Sequence, residues 1–344
     1  MRVFLGVDGG GTKTDFLLID ESGRALAERH EGSAYYPEIG VDALQAMFVQ
    51  GIRGTLSQAS VSPADVTFAC LGVPAYGEDG ALIARLDEIA AEALPTQRYR
   101  CVNDMVCGWA AALAGRDGIN IVAGTGSIGY GEVATRSARA GGWGELFSDE
   151  GSAYWVAREA LNLFSRMSDG RAKRAPLYAL VREHFKVRAD FDAGADFDER
   201  ADFDVCAAVY GPPPMTRSEL AAVAPLVSRA AGAGDLEAKR ILETAAAELA
   251  AIVHAVRRRL AVPPQAPLPV SYSGGMFRRD GMLTALFKEA LQKSDLRYEF
   301  AAPRLAPRAG AALYAAKLAG TPLTPQAVAQ LTLTHGAGYS EEGN

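Results

Sequence analysis

A strand, a glycine-rich turn and a second strand occur in that order twice in this chain, and this repeat constrains the fold more than any other feature. The first copy spans residues 2–19 and turns at 8–15. The second copy spans residues 119–135 and turns at Gly124–Ser127. A pattern repeated in both halves of a 344-residue chain predicts two related α/β domains with a cleft between them.

The periodicity of the other residues fits an N-terminal domain at 1–116 and a C-terminal domain at 117–344. The last predicted helix, at 311–318, is expected to pack back on the N-terminal domain. The last 20 or so residues are expected to form a loosely packed tail. Further helices are predicted at 41–58, 82–94, through Trp109 and Leu113, and at 151–167, 217–262 and 281–293, with strands at 24–30, 66–73, 98–102, 269–272 and 297–300.

Charge and hydropathy exclude several classes of partner. The net charge is −6 and a basic stripe is missing, which argues against nucleic acid, and Arg257–Arg259 is interpreted as a solvated helix end. The chain has no run of about 18 apolar residues for a membrane span and no signal-peptide core at its start, so we expect a cytoplasmic protein with no membrane partner. The four cysteines form no CxxC pair, which predicts a reduced protein without structural zinc.

The sequence Ala-Asp-Phe-Asp occurs three times, beginning at Ala189, Ala195 and Ala201. A spacing of six residues fits neither a helix nor a strand, so we interpret 188–204 as an acidic surface loop that is helical at most in part. A calcium site is disfavoured, because EF-hand spacing and its closing glutamate are missing.

The first glycine turn supplies candidate phosphate ligands. Backbone N–H groups of glycines can surround an oxyanion, and neighbouring hydroxyl and ammonium groups add donors. Asp8, at the strand end, can hold Mg²⁺ through its hydration water. A plain glycine-rich hairpin is the alternative, and a P-loop is excluded because GxxxxGK[ST] is missing and a strand follows the turn. The candidate ligands are Gly9, Gly10, Gly11, Thr12 and Lys13, with Thr14 next in the chain.

The second turn has the same properties and a misleading motif. Its candidate phosphate ligands are Gly124, Thr125, Gly126 and Ser127. With Gly129 they match GxGxxG after a strand, but a dinucleotide site requires a helix to begin at that turn. The residues that follow favour a strand, so the dinucleotide interpretation is disfavoured.

A candidate catalytic base lies between the two turns. Asp104 follows a predicted strand and begins a predicted helix, and α/β proteins place reactive groups at such strand ends. A carboxylate there can accept a proton from an attacking hydroxyl. Capping of the helix N-terminus explains an aspartate equally well.

Two phosphate-type hairpins with an aspartate between them resemble the sugar-kinase, actin and heat-shock-protein ATPase superfamily. Within it, the chain is similar to the N-acetylglucosamine kinase branch of the BadF/BadG/BcrA/BcrD-type ATPase family. The resemblance implies an α/β, actin-like ATPase (ribonuclease H-like) fold of two similar domains with an interdomain cleft, ATP and Mg²⁺ as cofactors, and a homodimer. It spans 6–313 through GVDGGGTKT (6–14), ND (103–104), AGTGS (123–127), GGWGELFSDEGSAYW (141–155), SGG (273–275) and P…P..GAAL (303–313).

The resemblance also implies a role for each matched position. Asp104 would be the catalytic base and Asp8 would support Mg²⁺, with the glycine turns on the ATP phosphates and Gly274 and Gly275 beside the adenosine. Without the resemblance, a core position is the alternative interpretation of Trp143. The implied sugar contacts are Tyr35, Asn103, Asp104, Thr125, Gly142, Trp143 and Asp149.

Two departures from the family pattern affect the identity of the sugar. Tyr35 stands where an asparagine is expected, and the loop after Val73 reads Pro74–Gly77 in place of a small serine-bearing loop. The expected reaction is phosphorylation of N-acetylglucosamine at O6, with glucosamine and N-acetylmuramic acid as alternative substrates. A partner-activating ATPase like the 2-hydroxyacyl-CoA dehydratase activators is the alternative of another class, and the 141–155 block favours the sugar.

Overall fold

The two halves of the chain build five-stranded sheets with the same topology. The computed structural model describes residues 1–187, 197–277 and 281–338. The strands of the first sheet are β1 (Val3–Gly9), β2 (Thr14–Asp20), β3 (Ala25–Glu31), β4 (Val66–Val73) and β5 (Tyr99–Asn103). The strands of the second sheet are β6 (Gly118–Ala123), β7 (Ser127–Val133), β8 (Arg136–Gly141), β9 (Leu268–Ser273) and β10 (Tyr298–Ala301).

The strand order is β3-β2-β1-β4-β5 in the first sheet and β8-β7-β6-β9-β10 in the second. In each sheet the first three strands form an antiparallel meander and the last two join in parallel. The predicted α/β fold with two similar halves is therefore confirmed. The division at 116/117 falls in the turn between the last helix of the first half and β6, and the assignment of each range to a domain stays a prediction.

Helices cover both sheets. In the first half they are α1 (Tyr36–Ile39), α2 (Val41–Gln58), α3 (Ile83–Asp87) and α4 (Asp104–Leu113). In the second half they are α5 (Ala153–Ser168), α6 (Pro176–His184), α7 (Phe197–Tyr210), α8 (Arg217–Ala221), α9 (Ala224–Gly232), α10 (Leu236–Arg259), α11 (Met282–Gln292), α12 (Pro307–Leu318) and α13 (Pro325–His335). In the described part of the chain, no helix has the length and apolarity needed to cross a bilayer.

Two helices connect the sheets. α4 follows the first sheet in the chain but also contacts β6, β7 and β9, whereas α12 follows the second sheet and contacts β1, β2 and β4. Glycines allow this close packing: a Cβ on Gly6 would overlap the backbone of Ala312, and one on Gly310 would overlap the backbone of Ala111. The small residues of the GAAL segment therefore bring α12 into backbone contact with both β1 and α4.

The predicted helix at 82–94 is wrong in its length. The helix α3 ends at Asp87, and the chain continues to Leu94 through turns with bonds such as Ala91 N–H to the Glu88 carbonyl. Ile89, Ala90, Ala93 and Leu94 are buried nonetheless. Their apolar pattern marked burial against the first sheet, which turns satisfy as well as a helix.

The predicted loose tail is also wrong where the structure describes it. Thr324 caps α13 by accepting the Ala327 N–H at 3.2 Å, and Pro325 occupies its first turn. Leu331 is fully buried and His335 contacts Glu28 on β3 at 2.6 Å. Residues 339–344 lie outside the described residues.

The described part of the Ala-Asp-Phe-Asp repeat lies in a helix. Its third copy, at 201–204, lies within α7, and the segment from 188 to 196 lies outside the described residues. Asp202 is buried and accepts hydrogen bonds from Tyr178 at 2.8 Å, Ser168 at 2.6 Å and Arg182 at 2.7 Å. The expectation of partial helix is therefore confirmed at this copy, whereas the expected surface position is wrong for Asp202, whose carboxylate these partners hold inside the protein.

The Arg257–Arg259 run is only partly a solvated helix end. Arg258 and Arg259 are exposed, but Arg257 is 1% exposed. Its guanidinium donates to the carbonyls of Arg297 at 2.7 Å, Pro264 at 3.0 Å and Ala266 at 2.7 Å, and also to that of Pro263. The interpretation is therefore wrong for Arg257, which ties the end of α10 to the loop before β9 and to the start of β10.

Candidate active site

The first glycine turn closes tightly at the carboxyl end of β1. The Gly10 N–H donates to the Lys13 carbonyl at 2.9 Å, and the Gly10 carbonyl accepts from the Ala34 N–H at 2.9 Å. Gly11, Thr12 and Lys13 are exposed. A Cβ on Gly11 would meet no atom within 4 Å. The turn therefore presents open space beside its donors, as a phosphate site requires.

Two carboxylates lie on either side of Gly72 in β4. Asp8 on β1 pairs in register with Gly72, and a Cβ on Gly72 would lie 3.6 Å from the Cα of Asp104. Desolvation, followed by the charges of Asp104 and Asp15, raises the pKa of Asp8 to about 8. The absence of a side chain at position 72 thus brings two acids together at the carboxyl ends of β1 and β5, the two strands that flank β4.

Asp104 is the first residue of α4 and not its cap. The Asn103 side chain caps the helix by accepting the Met105 N–H at 3.2 Å, and its amide donates to the Tyr76 carbonyl at 3.1 Å. The N-cap interpretation of Asp104 is therefore wrong. Asp104 is half-buried, and its carboxylate is not needed to cap the helix. Burial raises the pKa of Asp104 to about 6, with a further increase from Glu78, against the lowering effect of the Met105 N–H.

The second glycine turn, between β6 and β7, repeats the closure of the first. The Gly124 N–H donates to the Gly126 carbonyl at 2.9 Å, and Thr125 at the tip is exposed. The Ser127 hydroxyl, predicted to face a phosphate, donates instead to the Glu150 carbonyl at 2.8 Å. This bond joins the turn to the segment that precedes α5.

The Gly274–Gly275 loop lies directly against the second turn. The Met276 N–H donates to the Ala123 carbonyl at 3.0 Å, and Gly274 has a φ of 97°. A Cβ on Gly274 would overlap that same carbonyl. A side chain is thus excluded where the loop approaches the turn, whereas Gly275 faces open space.

The tryptophan of the 141–155 block lies on the surface. Trp143 is 70% exposed, so its interpretation as a core residue is wrong. Arg139 lies 6.0 Å from the Trp143 ring centroid and donates to the Gly142 carbonyl at 2.9 Å. Arg139 also approaches Glu78 at 3.9 Å, from the loop that precedes α3. Because the charge of Glu78 raises the pKa of Asp104, the Arg139–Glu78 pair links the 141–155 block of the second half to the candidate base of the first.

Asp149 is buried beside the second turn. Its backbone has a φ of 60°, a left-handed conformation uncommon for aspartate, and its side chain is 4% exposed. Arg217, at the start of α8, pairs with this carboxylate and reaches Glu145 at 3.5 Å. Sequence reasoning missed Arg217, Glu78 and Arg139 because their contacts join distant segments, and no local motif marks such pairs.

Two tyrosines expected near the sugar differ in their availability. Tyr35 is half-buried before α1, and its backbone N–H donates to the Ser33 hydroxyl at 3.1 Å. The Tyr76 hydroxyl donates to Asp87 at 2.7 Å, which directs it toward the end of α3. Among the described residues, the Tyr76 hydroxyl therefore has a side-chain partner, whereas the Tyr35 hydroxyl donates no hydrogen bond.

The geometry defines a class of protein. Each sheet carries a glycine turn after its first strand, and two carboxylates meet at the carboxyl ends of β1 and β5. This is the arrangement of actin-like ATPases and the phosphotransferases that share their fold. The family model described as the BadF/BadG/BcrA/BcrD ATPase family matches residues 5–315, and the chain belongs to that family. Use of ATP follows from that membership.

Three relatives narrow the comparison. The chain is 26% identical over 327 residues to an N-acetyl-D-glucosamine kinase of Dictyostelium discoideum, covering 91% of this chain and 98% of the relative. It is 26% identical over 294 residues to an N-acetylmuramic acid/N-acetylglucosamine kinase of Clostridium acetobutylicum, with coverages of 85% and 90%. A solved structure of a candidate N-acetylglucosamine kinase from Chromobacterium violaceum is 26% identical, with a TM-score of 0.64 and coverages of 92% and 99%.

Proposed function

We propose that the protein transfers the γ-phosphoryl group of ATP to a hydroxyl of an amino sugar, and that N-acetylglucosamine is phosphorylated at O6. The observation that carries this proposal is the position of Asp104, which lies across Gly72 from Asp8 and stands between the two glycine turns in the chain. The names of the relatives support an amino sugar as the acceptor. The proposal joins a base, two phosphate sites and an exposed aromatic platform in one cleft.

Asp104 would take the proton of the attacking hydroxyl. The oxygen of that sugar hydroxyl then bonds to the γ-phosphorus. The bond between the γ-phosphorus and the oxygen that bridges it to the β-phosphate breaks, and ADP leaves. A carboxylate whose pKa is raised to about 6 is still mostly ionised at neutral pH and is a stronger base than an exposed aspartate. Phosphoryl transfer otherwise depends on positioning and charge stabilisation, which the two glycine turns would supply together with Thr12 and Thr125.

The acidic pair fits a magnesium ion. Mg²⁺ in kinases is held by one or two carboxylates together with substrate phosphates, and Asp8 lies where the charge of Asp104 raises its pKa. A cation there would relieve the repulsion between the two acids. We assign Asp8 to support Mg²⁺, which when bound would neutralise charge on the phosphates.

We assign the remaining predicted contacts to the same cleft. The indole of Trp143 would stack on the sugar ring, with Gly142 next to it, and Asp149 would accept a sugar hydroxyl. The side chain of Asn103 already donates to the Tyr76 carbonyl and accepts the Met105 N–H. Asn103 would therefore contribute to the sugar site through its backbone. Gly274 and Gly275 would admit the adenosine beside the second turn.

Two other sugars remain as alternative phosphoryl acceptors, and one other functional class remains as an alternative for the protein. Glucosamine and N-acetylmuramic acid would use the same phosphate chemistry. A partner-activating ATPase would require cysteines that bridge an iron–sulfur cluster between subunits, and Cys70, Cys101 and Cys107 are buried. Cys206 on α7 alone is exposed, which disfavours a shared cluster.

ADP release from Mg·ATP across a panel of sugars tests the proposal. The panel comprises N-acetylglucosamine, glucosamine, N-acetylmuramic acid, N-acetylmannosamine and glucose. We expect strong turnover on one amino sugar. ATP hydrolysis that is independent of every sugar, together with bound iron, would instead favour the partner-activating ATPase.

The pH profile of the reaction should report the Asp104 carboxylate. The base must be ionised, and burial raises its pKa to about 6. We therefore expect kcat/KM to be maximal above this value and to fall about tenfold per unit as the pH drops below it. A profile measured from about pH 5 to about pH 8.5 that stays flat down to pH 5 would contradict Asp104 as the base.

We further propose that the enzyme is cytoplasmic and that it forms a homodimer, which the family resemblance implies. Light scattering on the protein as it elutes from a size-exclusion column would measure its mass, which is compared with the 36.3 kDa of one chain. A mass equal to one chain at micromolar concentration would contradict the dimer.

A further inference from the structure

The capped N-terminus of α8 holds Arg217 within hydrogen-bonding reach of Asp149. Thr216 caps α8 by accepting the Glu219 N–H at 3.3 Å, and the Glu219 carboxylate accepts the Thr216 N–H at 2.7 Å. This capping box sets the backbone of the residue that follows Thr216. The guanidinium of Arg217 is thereby presented to Asp149, which lies 68 residues away in the chain.

The pair also lies against the second glycine turn. A Cβ on Gly126 would lie 2.9 Å from the Asp149 carboxylate and 2.5 Å from the Arg217 guanidinium. Both charged groups therefore occupy the space that a side chain at position 126 would need. Arg217 also lines a cavity of about 790 Å³, to which Arg158 contributes as well.

Asp149 has one cation among the groups that face it in the described part of the chain. Burial raises its pKa, and the charges of Glu145 and Glu150 raise it further. Arg217 from α8 and the Ser127 backbone N–H from β7 lower it. Without Arg217, a buried carboxylate between two other acids would take up a proton more readily.

We propose that Arg217 is the positioning residue of the sugar site: it keeps Asp149 ionised and holds its carboxylate beside the second glycine turn, where it accepts a hydroxyl of the amino sugar. This inference rests on the proposed function. An ionised carboxylate accepts hydrogen bonds from sugar hydroxyls more strongly than a neutral acid does. The arginine acts through Asp149 and is not itself assigned a contact with the reacting atoms.

Steady-state kinetics of Arg217→Met test the inference. We expect the KM for the sugar to rise about 10- to 100-fold, because a charge-assisted contact to the sugar is lost. We expect ADP affinity to stay within about twofold of the wild type. The acid limb of kcat/KM should move to higher pH, which a loss of packing alone would not produce. Arg217→Lys should restore part of the effect, since it keeps the charge but not the planar geometry.

Arg158→Met is the matched control. Arg158 lines the same cavity, is exposed, and pairs with its neighbour Glu159 at 3.3 Å, so its kinetics should equal those of the wild type. A wild-type KM and pH profile in Arg217→Met would overturn the inference. A lower sugar KM in that variant would overturn it too, since Arg217 would then be blocking the site.

A stability cycle separates this inference from the proposed function. In Arg217→Met the folded-state pKa of Asp149 rises, so its neutral form stabilises the fold at low pH and that stability is lost as the pH rises. The deficit relative to wild type should therefore grow from about pH 5 to about pH 8, and Asp149→Asn in the same background should remove that growth. A stability deficit that stays constant between these pH values would overturn the proposal that Arg217 keeps Asp149 ionised, whatever the sugar panel shows. Wild-type inactivity on every sugar, with the growth present, would refute the proposed function alone and limit Arg217 to holding Asp149.

Discussion

Asp104→Asn is expected to lower turnover on the amino sugar about 10²–10⁴-fold. The asparagine amide has nearly the same shape but cannot accept the hydroxyl proton. The start of α4 should be unchanged, because Asn103 caps the helix and position 104 does not. The loss should therefore appear in kcat, with nucleotide affinity preserved.

Measurements of kcat and of ADP affinity by titration separate chemistry from binding. Asp65→Asn is the matched control, because Asp65 is exposed in the turn before β4 and should keep wild-type turnover. Folding provides a second check. Burial raises the folded-state pKa of Asp104 to about 6, so this group stabilises the protein at low pH and loses that contribution as the pH rises through 6. The neutral variant should therefore be at least as stable as wild type at pH 7, and retained turnover in it would refute the assignment.

The sequence predicted the fold well because the fold is built twice from local patterns. Each half begins with two apolar strands around a glycine turn, a pattern that can be recognised in the sequence. In each half the later strands join the first strand in parallel. The third strand of the second meander, β8, was missed. It reads Arg-Ser-Ala-Arg-Ala-Gly, with no β-branched or aromatic residue, and pairing with β7 decides its conformation.

The candidate site was predictable only where its chemistry is local. Glycines in a turn, hydroxyls beside them and an acid after a strand are each readable within a few residues. Arg217 and Glu78 are not, since each acts on a carboxylate that the fold brings from another segment. Sequence alone also does not show that the side chain of Asn103, for which a sugar contact is predicted, caps α4.

The same limit explains the misinterpretation of the arginine run at the end of α10. Successive residues on a helix point in different directions, so three adjacent arginines seldom share an environment. Two of them, Arg258 and Arg259, are exposed as predicted, and Arg257 is buried because the chain turns back over it at Pro263 and Pro264. Backbone carbonyls supplied by a later loop cannot be recognised from side-chain type.

Arg257→Met is therefore expected to destabilise the protein by about 3–5 kcal/mol. The methionine would keep much of the apolar volume but leave the part-buried carbonyl hydrogen bonds to Pro264, Ala266 and Arg297 without their charged donor. It would also remove a cation that lies 5.0 Å from the ring centroid of Tyr298 on β10. The variant should lower the midpoint of thermal unfolding by roughly 10 °C.

Arg258→Met and Arg259→Met provide matched controls, because they change the same residue type on the same helix turn at exposed positions. Each should stay within about 0.5 kcal/mol of wild type in urea unfolding. An Arg257→Met midpoint equal to those of the two controls would mean that the carbonyls find other donors. A loss confined to Arg257 would establish that one guanidinium joins α10, the 263–266 loop and β10, and thereby supports the sheet on which the second glycine turn lies.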